Sequence, residues 1–187
     1  MTTVVIDNEF GQLQQVRSLY ELSFPEEERL SFDALMKLAQ TSDVEFVAYQ
    51  DDDSGQLLGF TYTFTVERFC WGFYFAVQPA LRGQGIGQLI LQSLLARHNH
   101  YLFVIDIESI EQPSEQTGEA PAGLASHAMR QRRHDFYRRN GIRDTDVRRS
   151  YGGVTYQIMV HGHGSITDAE YQHLIDTMWT RIKSSDA

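Results

Sequence analysis

The sequence feature that most constrains the fold is a glycine-rich turn, Arg82-Gly83-Gln84-Gly85-Ile86-Gly87, set between two apolar segments of different periodicity. The segment before it, Phe69–Val77, alternates and predicts a strand. One face is predicted to carry Phe69, Trp71, Phe73, Phe75 and Val77, and the other face Cys70, Gly72, Tyr74 and Ala76. Gln78-Pro79 ends the strand, because proline has no N–H for a ladder. The segment after the turn predicts a helix with an apolar stripe of Ile86, Leu89, Ile90 and Leu94.

The turn has the chemistry of an anion cradle. Three glycines at alternate positions let successive backbone N–H groups converge, and the helix N-terminus adds partial positive charge there. Such a cradle suits a phosphate or pyrophosphate. No lysine follows the glycines, as a Walker loop needs, and the spacing G-x-G-x-G differs from the dinucleotide fingerprint G-x-G-x-x-G. The alternative is a glycine-rich turn that only leads into an ordinary helix.

Arg82-x-x-Gly85-x-Gly87 resembles the R/Q-x-x-G-x-G/A motif of the GNAT superfamily of N-acetyltransferases. The resemblance implies that this loop holds the pyrophosphate of acetyl-CoA, the co-substrate. The cofactor-binding residues it implies are Val77, Arg82, Gly83, Gln84, Gly85, Ile86 and Gly87. In relatives the preceding strand bulges, so that a backbone N–H near Val77 would polarise the acetyl carbonyl.

A second stretch, Phe136-Tyr137-Arg138-Arg139-Asn140-Gly141-Ile142, resembles the F-Y-x-x-x-G-F ending of the family's fourth helix. The resemblance implies that Tyr137 donates a proton to the departing CoA thiolate; the alternative is a tyrosine that only packs in the core. Many members carry Asn and Ala seven and four residues before this tyrosine, where this chain has Arg130 and Arg133. That departure implies an altered helix contact with the cofactor, and arginine–phosphate pairing is one option.

The candidate general base lies at the end of another predicted strand, Tyr101–Glu108, a near-continuous apolar run typical of a buried parallel strand. Ligands of open α/β sheets bind at the carboxyl ends of such strands. Glu108 is the first candidate to take a proton from the attacking amine, directly or through water, and Asp106 is the alternate. For both residues the competing interpretation is a solvated strand end or a salt bridge to an arginine-rich helix.

The remaining pattern predicts one domain over residues 1–187. The fold class is α/β (α+β), a GNAT-like mixed and mostly antiparallel sheet of about seven strands. It has a parallel pair at the cofactor cleft and four to five flanking helices. The stretch Phe24-Pro25-Glu26-Glu27-Glu28-Arg29 resembles the family's substrate entrance, although its glutamates also suit a helix start. The loop Ser109–Ala125 is expected to be a lid or substrate wall, or else a spacer.

Composition narrows the partners. The net charge of −9 argues against nucleic acid or an anionic membrane and favours a cationic substrate. Eight of the sixteen Lys and Arg residues fall within Arg130–Arg149; the favoured interpretation is a solvated face, with contacts to CoA phosphates as another. No apolar run reaches eighteen residues, the N-terminus lacks a secretory pattern, and a single cysteine fits the cytoplasm. A homodimer is left open.

Two other chemistries are disfavoured by the sequence. Cys70 lies in mid-strand without a base nearby in sequence, so it is expected to be a buried thiol. No metal site is expected, because His161, His163 and His173 lack acidic or cysteine partners. The function expected is therefore acetyl-CoA-dependent N-acetyl transfer to a primary amine of a small molecule, peptide or protein. The alternative is a non-catalytic CoA-binding sensor or interaction module on the same fold.

Overall fold

The computed structural model describes residues 1–112 and 124–185. The strands are β1 (Thr2–Val5), β2 (Val44–Gln50), β3 (Leu57–Val66), β4 (Phe69–Val77), β5 (Leu102–Glu108), β6 (Arg143–Tyr151) and β7 (Val154–His161). The α-helices are α1 (Leu13–Ser23), α2 (Phe32–Leu38), α3 (Ile86–Arg97), α4 (His127–Arg139) and α5 (Asp168–Ser185). Short 3₁₀ turns lie at Glu26–Glu28 and Pro79–Leu81.

All seven strands join one sheet in the order β1-β2-β3-β4-β5-β7-β6. Every neighbouring pair is antiparallel except β4 and β5, which are parallel and connected through α3. The predicted fold class is confirmed, including the parallel pair. Most of the predicted loop Ser109–Ala125, residues 113–123, lies outside the described residues.

The helices cover the two faces of the sheet. Helices α1, α2 and α5 share one hydrophobic core with the sheet face that carries Phe60, Trp71 and Val104. Helices α3 and α4 pack on the opposite face, against Cys70 and Phe103 among others. We name these the α1 face and the α3 face, after the first helix that packs on each. Within the described residues no helix is long and apolar enough to cross a membrane.

The predicted alternation of β4 holds as far as Phe73 and is wrong beyond it, because the strand contains a β-bulge. Tyr62 pairs with Tyr74 while the adjacent Thr63 pairs with Gly72, so Phe73 is an extra residue on β4. An extra residue reverses the faces of everything that follows it. Tyr74 therefore joins Trp71 on the α1 face.

The predicted apolar stripe of α3 is also displaced by part of a turn. Ile90, Leu91 and Leu94 are buried, whereas Leu89 is 51% exposed. The sheet lies against the side of the helix that Leu91 occupies, and Leu89 is on the solvent side of the same turn. The sequence could not show this, because both positions carry leucine.

Candidate active site

The site is a cleft that opens where two parallel strands separate. Strands β4 and β5 pair from Phe69–Leu102 only as far as Trp71–Val104. Beyond that point the β4 bulge turns the strand away, and a cavity of about 1030 Å³ lies between the strands and extends to the glycine turn. The carboxyl ends of both strands face this cavity, which is where open α/β sheets bind ligands.

At one end of the cleft, the glycine turn has the backbone expected of an anion cradle. Gly83 and Gly85 have φ of 78° and 84°, in the left-handed region that favours glycine, and Gly85 is the N-cap of α3. The side-chain positions of both residues face open space. Among the described residues, no acceptor pairs with the N–H groups of residues 83–87. Five consecutive donors at a helix N-terminus fit a pyrophosphate.

The end of β4 presents its backbone to the same cleft. The N–H of Gln78 donates to the Leu58 carbonyl at 2.9 Å, on the β3 side. Because a peptide unit is planar, the Val77 carbonyl in the same unit points the other way, towards the cleft. In an extended residue the N–H points to the same side as the carbonyl, so the Val77 N–H also faces the cleft. Arg82 steadies this corner, since its Nε donates to the Val77 carbonyl at 3.1 Å.

The bulge itself lies at Phe73, four residues before Val77. The resemblance implied a bulge in this strand, and the strand does contain one. Gly59 and Val77 are regular ladder partners. The Val77 backbone is open to the cleft because β5 no longer pairs with β4 at this point. The two strands separate after Trp71, next to the bulge at Phe73.

Tyr137 lies in the last turn of α4, and its ring packs against Phe136 with the centroids 5.2 Å apart. It lines the cleft, and within the described residues its hydroxyl has no hydrogen-bond partner. Burial raises the pKa of Tyr137 to about 12, although the nearby Arg133 charge opposes the rise. The hydroxyl is therefore protonated at neutral pH and free to donate.

Glu108 is buried at the end of β5, with 6% of its surface exposed. Arg133 Nη1 donates to its Oε2 at 3.1 Å, and the Ala125 N–H donates to Oε1 at 3.4 Å. Burial raises the pKa of Glu108, and Arg133 partly offsets that effect. Arg133 thus pairs with the candidate base, which realises one of the alternatives considered for Glu108.

Asp106 lies on the same face of β5 as Glu108, deeper in the cleft. Its Oδ1 accepts a hydrogen bond from Trp71 Nε1 at 2.7 Å. Burial raises the pKa of Asp106, and hydrogen bonds from Trp71 and Tyr171 oppose the rise. Glu28 lines the same cleft as Asp106 and Glu108, and its negative charge adds to the effect of burial in raising the pKa of both residues.

Glu28 belongs to a wall of the cleft that sequence reasoning did not resolve. The Tyr74 hydroxyl donates to the Glu28 carbonyl at 2.8 Å, and the Tyr156 hydroxyl donates to the Glu28 carboxylate at 2.5 Å. Helix α5 adds Tyr171, Met178 and Trp179 to the same wall. Only the Phe-Pro-x-x-Glu-Arg resemblance pointed to this region, since the contacts join segments far apart in the sequence.

The arginine cluster is mostly engaged within the protein. Arg130 is fully buried, and its guanidinium donates to the carbonyls of Ile110 and Ala125. It therefore does not reach the cofactor cleft, and the phosphate-pairing option is wrong for this residue. By contrast, Arg132 and Arg139 line the cleft and are exposed. They lie seven residues apart, so they share one face of α4.

Neither Cys70 nor the histidines His161 and His173 contribute to the cleft chemistry. Cys70 is fully buried, and burial raises the pKa of its thiol, so it is not available as a nucleophile. In the described part of the chain, no three His, Cys, Asp or Glu side chains converge closely enough to hold a metal ion. His161 instead contacts the Gly141 carbonyl at 3.1 Å, and His173 contacts Glu67.

A cleft between the parallel strands of a mixed sheet, with a cradle of unpaired backbone N–H groups at one end, is the arrangement expected of an acyl-CoA-dependent transferase. Residues 42–141, more than half of the chain, match the model of the acetyltransferase (GNAT) domain. The chain belongs to the GNAT family of acetyltransferases. Membership confirms the family resemblance, the acyltransferase class and acetyl-CoA as the acetyl donor.

Solved structures show the same fold at low sequence identity. A putative GNAT-family acetyltransferase from Bacteroides thetaiotaomicron superposes with a TM-score of 0.73 and 22% identity, covering 96% of this chain and 97% of that one. An aminoglycoside 6'-N-acetyltransferase complexed with coenzyme A has a TM-score of 0.66 and 16% identity, covering 90% and 100%. The ribosomal-protein-S18-alanine N-acetyltransferase from Escherichia coli has a TM-score of 0.60 and 16% identity, covering 89% and 97%. No curated protein sequence gives a significant match.

Proposed function

We propose that residues 1–187 form one N-acetyltransferase domain that moves the acetyl group of acetyl-CoA directly to a primary amine. The observation that carries this proposal is the arrangement of three groups around one cleft. These are the unpaired N–H groups of residues 83–87, the free hydroxyl of Tyr137 and the buried carboxylate of Glu108. A module that only bound CoA would need the first of these and not the other two.

The half of the cleft next to the glycine turn binds acetyl-CoA. The N–H groups of residues 83–87 bind the pyrophosphate, with Arg82 bracing the corner that they share with Val77. The Val77 backbone, which faces the cleft, binds the pantetheine arm or the acetyl carbonyl. Arg132 and Arg139 are placed to contact further phosphate oxygens, because they line this half and are exposed.

The chemistry requires the removal of one proton from the amine and the stabilisation of the thiolate that leaves, which then takes up a proton from solvent. The attacking amine loses a proton to Glu108, directly or through one water, because only the neutral amine has a lone pair for the thioester carbon. A raised pKa brings Glu108 closer to the pKa that an efficient base needs near neutral pH. Tyr137 donates a hydrogen bond to the sulfur as the C–S bond breaks and negative charge develops there. Asp106 remains the alternate base.

The acceptor is an amine on a small molecule. Three of the similar solved structures are aminoglycoside acetyltransferases and one acetylates the alanine of a ribosomal protein, so this likeness does not select between such acceptors. Glu28, Tyr156 and Trp179 line a cavity of about 1030 Å³, a volume that suits a compact acceptor. We place the reaction in the cytoplasm, in keeping with a single free cysteine.

The test is an assay of thiol release from acetyl-CoA over a panel of amines, with mass spectrometry of the products. We expect one acetyl group to be added to specific amines, and Glu108→Gln to lower the turnover without changing acetyl-CoA affinity. Tight CoA binding with no transfer to any amine would refute the proposal and favour a binding module.

A further inference from the structure

Glu28 is held more firmly than a residue of a surface turn requires. It lies in a three-residue 3₁₀ turn, and two tyrosines from different strands fix it. Tyr74 in β4 anchors its backbone carbonyl, and Tyr156 in β7 anchors its carboxylate. Tyr74 also accepts a hydrogen bond from the Leu30 N–H at 3.2 Å, which fixes the chain just beyond the turn. Both tyrosines therefore orient one carboxylate at the mouth of the cleft.

The position of this carboxylate relative to the candidate base follows from strand pairing. Glu108 and Tyr156 are direct partners in the antiparallel β5–β7 ladder, so their side chains lie on the same face. The Tyr156 hydroxyl reaches the Glu28 carboxylate. Glu28 thus stands above the sheet by about the length of a tyrosine side chain. The cleft consequently carries carboxyl groups at two depths, Glu108 and Asp106 on the sheet and Glu28 near the mouth.

The surroundings of Glu28 suit an organic cation. Phe73, Tyr151 and Trp179 line the same cleft as Glu28, and aromatic faces attract ammonium groups. Of the arginines that line this region, Arg133 is paired with Glu108, while Arg29 donates to the Glu21 carbonyl. In the described residues the carboxylates do not converge as metal ligands would.

We propose that Glu28 is a specificity-determining residue that binds a second, non-reacting ammonium group of the acceptor. The preferred acceptors are therefore small aliphatic molecules with two or more amines. This inference rests on the proposed transferase function, because it assumes that the reacting amine lies at Glu108. The non-reacting ammonium lies between the Glu28 carboxylate and the aromatic wall, and the aliphatic spacer covers the distance between the two depths.

The experiment compares two acceptors of equal length. Putrescine has an ammonium group at both ends, whereas pentylamine has a methyl group in place of the second ammonium. We expect wild-type kcat/KM to be about tenfold higher for putrescine, the order of a charge-assisted hydrogen bond. In Glu28→Gln the ratio of the two kcat/KM values should fall towards one. In Tyr156→Phe the ratio should fall part of the way, since the carboxylate loses its anchor.

The matched control is Glu26→Gln, which makes the same change in the same turn at a residue outside the cleft lining. Its ratio should equal that of the wild type. Circular dichroism and CoA affinity report whether each variant is folded. Equal kcat/KM for both amines in the wild type, or an unchanged ratio in folded Glu28→Gln, would overturn the inference and leave the transferase function standing.

Calorimetry separates the two possible failures. Putrescine is titrated into the wild type and Glu28→Gln, each saturated with CoA. If no amine is acetylated, the transferase proposal falls. Putrescine binding that Glu28→Gln weakens about tenfold would then still support Glu28 as the ammonium site, whereas equal or absent binding would overturn it.

Discussion

Replacing Tyr137 with phenylalanine removes one hydroxyl and keeps the ring. Because that hydroxyl makes no hydrogen bond within the described residues, its loss leaves no buried partner unpaired there. The edge-to-face contact with Phe136, with centroids 5.2 Å apart, is retained. The variant should therefore fold, melt within a few degrees of the wild type and bind acetyl-CoA almost unchanged, since a ground-state thioester accepts hydrogen bonds poorly.

The rate should fall because the departing thiolate loses its donor. A pKa of about 12 lies well above that of an ordinary thiol, about 8.5, so complete proton transfer from Tyr137 to the sulfur is uphill. The hydroxyl therefore acts mainly by donating a hydrogen bond to developing charge. Loss of one such donor typically costs about 10²-fold in kcat, or about 2.7 kcal/mol.

The assay is single-turnover acetyl transfer under saturating amine, so that product release does not mask chemistry. The pH profile adds an independent test: with a pKa of about 12, Tyr137 should cause no loss of activity up to about pH 10. A chemical step within about threefold of the wild type would refute the role of Tyr137 as a donor. A large drop in melting temperature would instead indicate a packing residue.

Three further variants test other parts of the site. Gly87→Glu should abolish CoA binding, because its carboxylate would repel the pyrophosphate. The chain should stay folded, because a Cβ at Gly87 makes ordinary contacts with Val77 and Phe136 and an acidic group suits the first turn of a helix. Unchanged CoA affinity by calorimetry would refute the cradle. Glu108→Gln should remove the acidic limb of kcat/KM, since a base with a raised pKa is lost as pH falls through that pKa; an identical profile would shift the role to Asp106. Arg130→Met should leave the Ile110 and Ala125 carbonyls unpaired and lower the free energy of unfolding by at least about 2 kcal/mol, or roughly 4–8 °C in Tm. The control Arg132→Met, at an exposed position, should not change Tm. Equal melting temperatures of the two variants would contradict the structural role of Arg130.

The parts of the site that could be predicted from the sequence are those encoded locally. The strand, glycine turn and helix from Phe69 to Arg97 are contiguous, and their periodicities change where the structure changes. The bulge at Phe73 was not predictable, because every residue of that segment is compatible with either face until β3 sets the register. The sequence offered only a regular alternation, with Tyr74 and Ala76 on the face opposite Phe73 and Phe75, and a regular alternation does not reveal an extra residue.

Long-range contacts explain the other errors. A charged residue in an arginine-rich helix is expected at the surface, yet Arg130 is completely buried. Its guanidinium donates to the carbonyls of both Ile110 and Ala125. Ile110 follows β5 in the sequence and Ala125 precedes α4, so one side chain links the two ends of this connection. Nothing in the spacing of arginines distinguishes this residue from its exposed neighbour Arg132.

The two halves of the cleft differ in how the chain builds them, and this difference has a functional consequence. Val77, the cradle and Tyr137 all fall within residues 42–141, the part that matches the family model. Glu28, Tyr156 and helix α5 lie outside it, and the hydrogen bond from Tyr156 to Glu28 joins residues 128 positions apart. The acceptor wall can therefore change in charge and shape without disturbing the binding of acetyl-CoA. It follows that substitutions at Glu28 should act on KM for the amine and leave the affinity for acetyl-CoA unchanged, whereas substitutions at Gly87 should do the reverse.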